Sequence, residues 1–302
     1  SITGTAAMRN PEYKIKPGGL DGASWTALTL TNGKATISTP ASITPGWVLL
    51  ELRGTDASNT TVSGYGGALT SPELITPAST VPADFDTFWA DKIAELEAVP
   101  MNPVVTAGVS GRAGVDYALI TMDNIRGTHI QGQLARPTTG TKFPAVLVLQ
   151  WAGVYALDKT WVTSRAASGW LALNIQPHDI AVAESASYYT DLNNGALNGY
   201  YRIGNEDKET SYFLRMYLSC YRAVEYLASR PDWDGKTIVV LGASQGGQQS
   251  LLAAALNARV TTVLAEVPAG SDQWGPDVGR LPSFPTQLYQ AWDRDLAKVR
   301  AA

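Results

Sequence analysis

The sequence predicts an α/β fold that begins near residue 82 and follows a small all-β segment. From Pro82 onward, continuous runs of Val, Leu and Ile alternate with segments of helical periodicity. Such apolar runs are typical of strands buried on both faces, so we expect a doubly wound, mostly parallel sheet. The first eighty residues differ, because apolar and polar positions alternate there between stretches rich in Thr, Ser, Gly and Pro. A chain of 302 residues has room for both units.

The N-terminal segment carries the turn and strand signals of a small β domain. Asn32 and Gly33 form the strongest short hairpin signal, because both residues tolerate a positive φ. They lie in the alternating stretch WTALTLTNGKATIST, and GWVLLELRG reads as a further strand. The stretch SPELITPASTVPADF is Pro-rich and predicts a linker. We therefore predict an immunoglobulin-like sandwich over residues 1–78 and a second domain over residues 79–302.

The second domain opens with a predicted helix in PADFDTFWADKIAELEAVP. Its apolar residues recur at helical spacing between the cap candidate Asp84 and a stop at Pro100. The later elements are VDYALITMDN and THIQGQLARP as an extended pair, the strands FPAVLVLQ and GWLALNIQ, the helix YFLRMYLSCYRAVEYLAS, the strand TIVVLG, the helix QQSLLAAALN and the strand VTTVLAEV. This order predicts that the strand ends meet at one edge of the sheet, where α/β proteins place their ligands.

A serine between glycines occupies one strand-to-helix junction, in GASQGG at residues 242–247. The pattern G-x-S-x-G between a strand and a helix is typical of a nucleophile elbow, a turn too sharp for bulky neighbours. Ser244 would then be presented at the edge of the sheet. The backbone N–H of Gln245 would face a developing oxyanion at the helix N-terminus. A helix-capping serine matches the bare pattern equally well, but the flanking strand and helix favour the nucleophile.

A second oxyanion donor is expected on the loop after an earlier strand. The strand FPAVLVLQ ends at Gln150, and Trp151, Ala152 and Gly153 turn out of the sheet. A backbone amide on this loop is the candidate donor. The alternative is that this loop is an ordinary connection without a functional role, because a backbone amide is present at nearly every residue and does not by itself indicate a donor.

Composition and charge exclude several classes of function. The net charge is −4 and Lys and Arg are scattered, so we expect no nucleic-acid partner. The longest charge-free stretch, residues 237–258, contains Ser, Gln and Gly, so it is not expected to span a membrane. Cys220 is the only cysteine and lies in an apolar helical pattern, which predicts a packed thiol. No signal peptide opens the chain, so we expect that such a segment is absent or already removed.

Several segments together resemble a known family. They are PADFDTFWADKIAEL, GTHIQGQLARP before FPAVLVLQWAG, YRAVEYLASRPDWDGKTIVVLGASQGGQQS and AEVPAG. In order and spacing they resemble the acetyl xylan esterase and cephalosporin C deacetylase family of α/β-hydrolases, over roughly residues 82–302. The resemblance implies a serine esterase without a cofactor that removes acetyl groups from carbohydrates such as acetylated xylan or xylo-oligosaccharides. It also implies a secreted or periplasmic protein.

The resemblance assigns roles residue by residue. Ser244 matches the nucleophile, and Gln245 matches the residue whose amide serves the oxyanion hole. Gln150, Trp151 and Ala152 align with the family's His-Gly-Tyr, so all three side chains depart from the pattern. The amide role at Ala152 uses the backbone and is retained. Trp151 stands where the family has glycine, and the tyrosine side chain over the acyl pocket is replaced by the methyl group of Ala152, so we expect a different acyl pocket.

The sequence after Ser244 contains no histidine. In α/β-hydrolases the acid and the histidine follow the serine on loops after later strands. His129 lies in an early strand, which we expect to place it away from the catalytic edge. His178 follows a strand, but the adjacent Asp179 points away from it, so we expect His178 either to support the residues that contact the substrate or to line the pocket. The resemblance implies that the last strands, the Asp and the His lie beyond Ala302, on a continuation of the chain or a separate C-terminal fragment.

Tyrosines cluster in an insertion between strand and helix, DLNNGALNGYYRIGNEDKETSYF. Aromatic faces stack on sugars, so Tyr200 and Tyr201 are candidate pocket residues, and packing of the loop is the alternative. The acidic residues of the insertion lack a histidine, so we predict no metal site. Two other functions remain open: an esterase or peptidase of different acyl specificity, and an inactive carbohydrate-binding homologue.

Overall fold

The computed structural model of the protein describes residues 2–3, 8–19, 23–38 and 44–281. These residues form two compact units. The first comprises the described residues up to Thr80 and the segment that begins at Asp272, and the second runs from Val81 to Ser271. Their strands belong to separate sheets.

The first unit is built from antiparallel strands. Its four-stranded sheet has the order β3-β2-β5-β6, and β1 and β4 form a separate pair. The strands are β1 (Ile2–Thr3), β2 (Arg9–Pro17), β3 (Thr26–Ala27), β4 (Lys34–Ala35), β5 (Gly46–Thr55) and β6 (Thr61–Thr70). The predicted strand GWVLLELRG is confirmed within β5.

The predicted hairpin around Asn32 and Gly33 is present only as a turn. Both residues have a positive φ, 52° and 72°, and Thr31 and Lys34 exchange backbone hydrogen bonds across them. The flanking strands then separate, because β3 pairs with β2 and β4 pairs with β1. The prediction of a hairpin ladder was therefore wrong, since local turn chemistry determines the turn but not which strands pair beyond it.

The second unit contains a seven-stranded sheet and five α-helices among its described residues. The strands are β7 (Val104–Gly108), β8 (Val115–Asp123), β9 (His129–Pro137), β10 (Phe143–Leu149), β11 (Leu171–Ile175), β12 (Trp233–Ala243) and β13 (Thr262–Glu266). The helices are α1 (Phe85–Glu97), α2 (Thr160–Ala167), α3 (Ala186–Asn194), α4 (Tyr212–Ser229) and α5 (Gln245–Leu256). The predicted helix YFLRMYLSCYRAVEYLAS coincides with α4.

The sheet is mixed, which corrects the prediction of a mostly parallel one. Its order is β13-β12-β10-β11-β9-β8-β7. The strands from β13 to β11 pair in parallel, and those from β11 to β7 pair antiparallel. Parallel neighbours need a crossover of a dozen or more residues, whereas only residues 124–128 join β8 to β9. The short connection makes this pair antiparallel.

Both faces of the sheet are covered. Ala145, Leu147 and Leu149 of β10 belong to the apolar cluster that includes α4, and the alternate residues Val146 and Val148 belong to the cluster that includes α2. The side-chain period of two along a strand places successive residues on opposite faces. Every one of these five residues is buried. The doubly wound arrangement is therefore confirmed for the central strands.

The helix α2 had no counterpart in the sequence analysis. Its sequence, TWVTSRAA, is rich in β-branched and aromatic residues, which have modest helix propensity. Its buried face nevertheless packs Val162 and Ala166 on the sheet. Tertiary packing stabilises this short helix where local preference does not.

Ion pairs attach the insertion before α4 to the beginning of the second unit. The Glu209 carboxylate accepts hydrogen bonds from Lys92 at 2.6 Å and from Arg126 at 3.0 Å. These cations lower the pKa of Glu209, with the Lys92 hydrogen bond as the largest cause. Asp84 occupies the N-cap position of α1, but its carboxylate pairs with Lys208 instead of capping the helix. The acidic residues at 84 and 209 therefore have structural partners.

The buried cysteine agrees with the packed thiol that the sequence predicts. Cys220 is fully buried in α4, and burial raises the pKa of its thiol to about 12. Among the helices that the structure describes, none is long and apolar enough to cross a membrane.

Candidate active site

Ser244 connects β12 to α5 in a strained backbone conformation. It has φ 54° and ψ −118°, between the last residue of the strand and the first residue of the helix. A positive φ at a residue other than glycine costs about 1–3 kcal/mol and persists only where the surroundings enforce it. This strand-to-helix turn is the geometry of a nucleophile elbow.

The glycines around Ser244 allow the elbow to pack against β10. A Cβ atom on Gly242 would lie 2.5 Å from the carbonyl oxygen of Leu149. A Cβ atom on Gly246 would overlap the same carbonyl oxygen. Neither residue has a positive φ. The two glycines are therefore required by the close approach of two backbones, not by local conformation.

Backbone hydrogen bonds hold the elbow on its other side. The N–H of Ser244 donates to the carbonyl of Glu266 at 3.0 Å, and the N–H of Ala269 donates to the carbonyl of Ser244 at 2.9 Å. The turn is thus attached to the residues at the end of β13. The hydroxyl of Ser244 has no hydrogen-bond partner among the residues the structure describes.

The two predicted oxyanion donors lie at the same edge of adjacent strands. Leu149 and Gly242 are partners in the parallel ladder of β10 and β12. Ala152 and Gln245 each lie three residues further along the chain, and neighbouring strands are about 4.8 Å apart. Neither backbone N–H donates a hydrogen bond within the described chain. Both amides are therefore available to a ligand at this edge.

His178 is not placed to activate Ser244. Its Nε2 lies 3.0 Å from the carbonyl oxygen of Gly153, and its Nδ1 lies 2.8 Å from the hydroxyl of Tyr212. Both ring nitrogens are thus occupied, and the side chain is fully buried. The ring does not line an open pocket, because the loop after β10 and the tyrosines of the insertion cover it. The alternative expectation, that His178 supports residues of the site, stays a prediction.

His129 lies at the catalytic edge, which corrects the expectation that it lies away from it. Because β9 runs antiparallel to β11, its first residue lies beside the residues that follow β11. The backbone N–H of His129 donates to Asp179 at 2.9 Å, and Nδ1 lies 3.3 Å from the same carboxylate. In the strand order β12-β10-β11-β9, His129 is three strands from the strand that ends before Ser244. Within the described residues, neither histidine reaches the nucleophile.

Of the three tyrosines in the insertion, Tyr200 is buried, and Tyr201 and Tyr212 are half-buried. Tyr200 is 5% exposed and its hydroxyl donates to Oε1 of Gln245 at 2.6 Å, so it does not line an open pocket. This corrects the candidate role of Tyr200. Tyr201 is partly exposed and lines a shallow pocket with Asn198 and Arg202.

Trp151 is the exposed aromatic residue beside the elbow. Its side chain is 50% exposed, stacks on Tyr155 and meets Trp161 edge to face. It lines a cavity of about 650 Å³ that also includes Ala243 and Glu266. The role of Trp151 as a residue of the substrate pocket stays a prediction.

Arg215 contributes to the site and was not singled out from the sequence. Its guanidinium donates to the hydroxyl of Tyr212, and it lies 4.3 Å from the ring of the same tyrosine. The signal was one charged residue in the first turn of the otherwise apolar stretch YFLRMYLSC. A single arginine in such a stretch does not reveal which buried side chain it contacts.

Burial lowers the pKa of His178 to about 4, from an ordinary value of 6.5, and Arg215 adds to the shift. Tyr200 and Tyr212 also face the ring. Between these two pH values the unfolded chain binds a proton that the folded chain excludes. We therefore expect the free energy of unfolding to fall as the pH falls from 6.5 to 4, by up to about 3 kcal/mol. Chemical denaturation at several pH values measures this loss.

The test variant is His178→Gln. Glutamine at position 178 retains a donor and an acceptor but does not titrate, so the part of the pH dependence that His178 contributes between pH 6.5 and 4 should be present in the parent protein and absent from this variant. An NMR titration of the His178 ring gives its pKa directly, and a value near 6.5 would contradict the expectation.

The fold and the elbow together define a class. A mixed sheet with helices on both faces, and a serine at positive φ between strand and helix, are the features of an α/β-hydrolase. A family model for acetyl xylan esterase matches residues 69–273. The chain belongs to the acetyl xylan esterase family.

Individual relatives agree with this membership. The acetyl esterase Axe7A of Xylanibacter ruminicola is 31% identical over 280 residues, which cover 90% of this chain and 62% of the relative. The chain thus spans less than two thirds of the length of that relative.

Two solved structures share the fold. Acetyl xylan esterase 1 from Thermoanaerobacterium sp. JW/SL YS485 has a TM-score of 0.62 at 21% identity, covering 77% of this chain and 75% of that one. The acetyl xylan esterase from Paenibacillus sp. R4 has a TM-score of 0.57 at 24% identity, covering 74% and 73%.

Proposed function

We propose that the protein is a serine esterase that removes acetyl groups from carbohydrates such as acetylated xylan or xylo-oligosaccharides. The observation that carries the proposal is the strained Ser244 at the elbow of a chain that belongs to the acetyl xylan esterase family. The relative from Xylanibacter ruminicola is named an acetyl esterase, and the two structural neighbours are named acetyl xylan esterases. These names support an acetyl ester as the substrate.

In the proposed reaction the Ser244 hydroxyl attacks the acetyl carbonyl carbon and loses its proton to a general base. The backbone N–H groups of Gln245 and Ala152 hold the resulting oxyanion, and each is worth about 3 kcal/mol of barrier. The bond to the sugar oxygen then breaks, and that oxygen takes a proton. Water hydrolyses the acetyl-serine to acetate. The geometry of His129 and His178 does not support either of them as the base.

Trp151 supports a carbohydrate as the carrier of the acetyl group. Its half-exposed ring lies one residue before a proposed oxyanion donor, and aromatic faces stack on sugar rings. The side chain of Tyr201 offers a second accessible aromatic surface. A xylan chain is a polymer, so action on it supports a secreted or periplasmic location. No membrane or nucleic-acid partner is proposed.

The division into domains is also a proposal. We infer a small β domain over residues 1–78 with an immunoglobulin-like sandwich architecture, followed by the esterase domain from residue 79. The separate antiparallel sheet of the first unit supports this division. The described segment that begins at Asp272 groups with the first unit, although it follows the esterase domain in the sequence.

A test of the proposal is acetate release from acetylated xylo-oligosaccharides. We expect release of acetate and faster hydrolysis of 4-nitrophenyl acetate than of its butyrate and octanoate analogues. The deacetylated oligosaccharide of the same length is the matched control for binding. Faster hydrolysis of the octanoate would favour an esterase of other acyl specificity.

One observation favours a second candidate function, an inactive carbohydrate-binding homologue. No histidine among the described residues contacts the Ser244 hydroxyl, and a serine without a base is a poor nucleophile. Binding of both oligosaccharides without any acetate release would support this candidate and overturn the esterase.

A further inference from the structure

A single phenol connects the two segments that carry the proposed oxyanion donors. The hydroxyl of Tyr200 accepts the N–H of Gly153 at 3.4 Å and donates to Oε1 of Gln245 at 2.6 Å. Gly153 follows Ala152 directly, and Gln245 follows Ser244. Both Tyr200 and Gln245 are buried, at 5% and 0% exposure. The hydroxyl therefore bridges the loop after β10 and the start of α5, away from bulk water.

The carbonyl of Gly153 is held as well. It can only accept, so Nε2 of His178 carries a proton and donates to it at 3.0 Å. His178 is neutral at ordinary pH because burial lowers its pKa, so Nδ1 is an acceptor and receives the hydroxyl proton of Tyr212 at 2.8 Å. Arg215 in turn donates to the oxygen of Tyr212. This chain of donations fixes the direction of every hydrogen bond.

Side chains therefore bind both peptide groups that Gly153 shares with its neighbours. Its φ of 130° lies in a region that residues other than glycine rarely adopt. Tyr200 holds the N–H and His178 holds the C=O. The preceding peptide, which carries the N–H of Ala152, is joined to the Gly153 N–H that Tyr200 holds, and its own carbonyl, that of Trp151, accepts the Tyr155 hydroxyl at 2.7 Å.

We propose that Tyr200 is a positioning residue that sets the separation and direction of the Ala152 and Gln245 amides, with His178 supporting it from the other face of Gly153. The inference rests on the proposed function, because it assigns these amides to the oxyanion. A positioned oxyanion hole acts on the transition state and not on the bound ester. The contribution of Tyr200 is therefore to kcat, with KM nearly unchanged.

The test compares Tyr200→Phe with Tyr189→Phe. Phenylalanine removes only the hydroxyl. Tyr189 is a matched control, because its buried hydroxyl also accepts a backbone N–H, from Glu184 at 3.0 Å, and donates to an acceptor, the carbonyl of Ala181 at 2.9 Å. Tyr189 contacts neither Gly153 nor Gln245 through these bonds. We expect Tyr200→Phe to lower kcat on 4-nitrophenyl acetate by about 10-fold to 100-fold with KM within about 3-fold. Tyr189→Phe should leave both values unchanged.

A double variant separates positioning from a general loss of packing. Gln245→Leu removes the acceptor of the Tyr200 hydroxyl but retains the backbone amide. If Tyr200 acts through this contact, the loss in kcat for the double variant should be smaller than the product of the two single losses. Independent, multiplicative losses would overturn the proposed link between the phenol and the elbow.

A measurement that does not depend on ester hydrolysis can test this inference separately from the proposed function. Amide hydrogen exchange at Gly153 should be faster in Tyr200→Phe than in the parent protein, and unchanged in Tyr189→Phe. Unchanged exchange at Gly153 in Tyr200→Phe would overturn the inference whether or not the protein hydrolyses esters. Absence of ester hydrolysis in the parent protein, with the expected exchange pattern, would overturn the esterase proposal and the catalytic part of the inference.

Discussion

Replacing Ser244 by alanine is expected to remove esterase activity while leaving the folded state intact. Loss of the nucleophile in a serine hydrolase lowers kcat by a factor on the order of 10⁴ or more. The hydroxyl of Ser244 has no hydrogen-bond partner among the described residues, so its removal leaves no buried group unpaired. Alanine has a Cβ like serine, so the strain at positive φ persists and is not relieved. We expect a change in the free energy of unfolding below about 0.5 kcal/mol.

The measurements are initial rates on 4-nitrophenyl acetate and thermal unfolding of the same samples. Ser58→Ala is the control, since Ser58 is an exposed serine in a turn of the first unit. This control should match the parent protein in both measurements. Retained turnover in Ser244→Ala would remove Ser244 from the mechanism. Loss of both activity and stability would instead assign the hydroxyl a structural role.

Replacing Gly246 by alanine is expected to destabilise the second unit by about 3 kcal/mol and to abolish activity, although the change adds only one methyl group. The added Cβ would overlap the carbonyl oxygen of Leu149, which is fixed in the ladder of β10 and β12. Backbone cannot rotate away as a side chain can. The sheet or the elbow must move, and either movement displaces Ser244.

Chemical denaturation and ester hydrolysis of Gly246→Ala test this expectation. Gly66→Ala in β6 is the control, because its Cβ would meet no atom within 4 Å and its φ is not positive. We expect that change to alter stability by less than about 0.5 kcal/mol. An active, fully stable Gly246→Ala variant would show that the elbow tolerates a side chain and that the close packing is not required.

The sequence correctly predicted those strands and helices whose structure is determined by the residues within them. The run FPAVLVLQ and the helix YFLRMYLSCYRAVEYLAS appear in the structure where periodicity placed them, as β10 and α4. The elbow was also predictable, because the small residues around Ser244 reflect a local crowding that any such turn imposes. Family membership was predictable for the same reason, since it rests on these contiguous motifs.

Features that depend on distant partners were not predictable. The direction of β9 relative to β11 places His129 at the catalytic edge, and direction is a property of the whole sheet. The burial of His178 depends on Gly153 and Tyr212, which are 25 and 34 residues away in the chain. A single histidine after a strand has the same local sequence whether its ring is covered or open. Hydrogen-bond partners across such separations are therefore the part of a site that one sequence reveals least.

The attachment of Ser244 to three strands has a kinetic consequence. The unfolded chain rarely visits the backbone conformation of this residue, and contacts with other strands hold it in the folded chain. The glycines must meet β10, and the Ser244 amide must meet the carbonyl of Glu266 at the end of β13. Each of these encounters closes a long loop of chain, which makes it slow relative to helix formation. We therefore expect the reactive serine to be assembled only after β10, β12 and β13 have paired, so that chemical reactivity at Ser244 reports the completion of folding and not its onset.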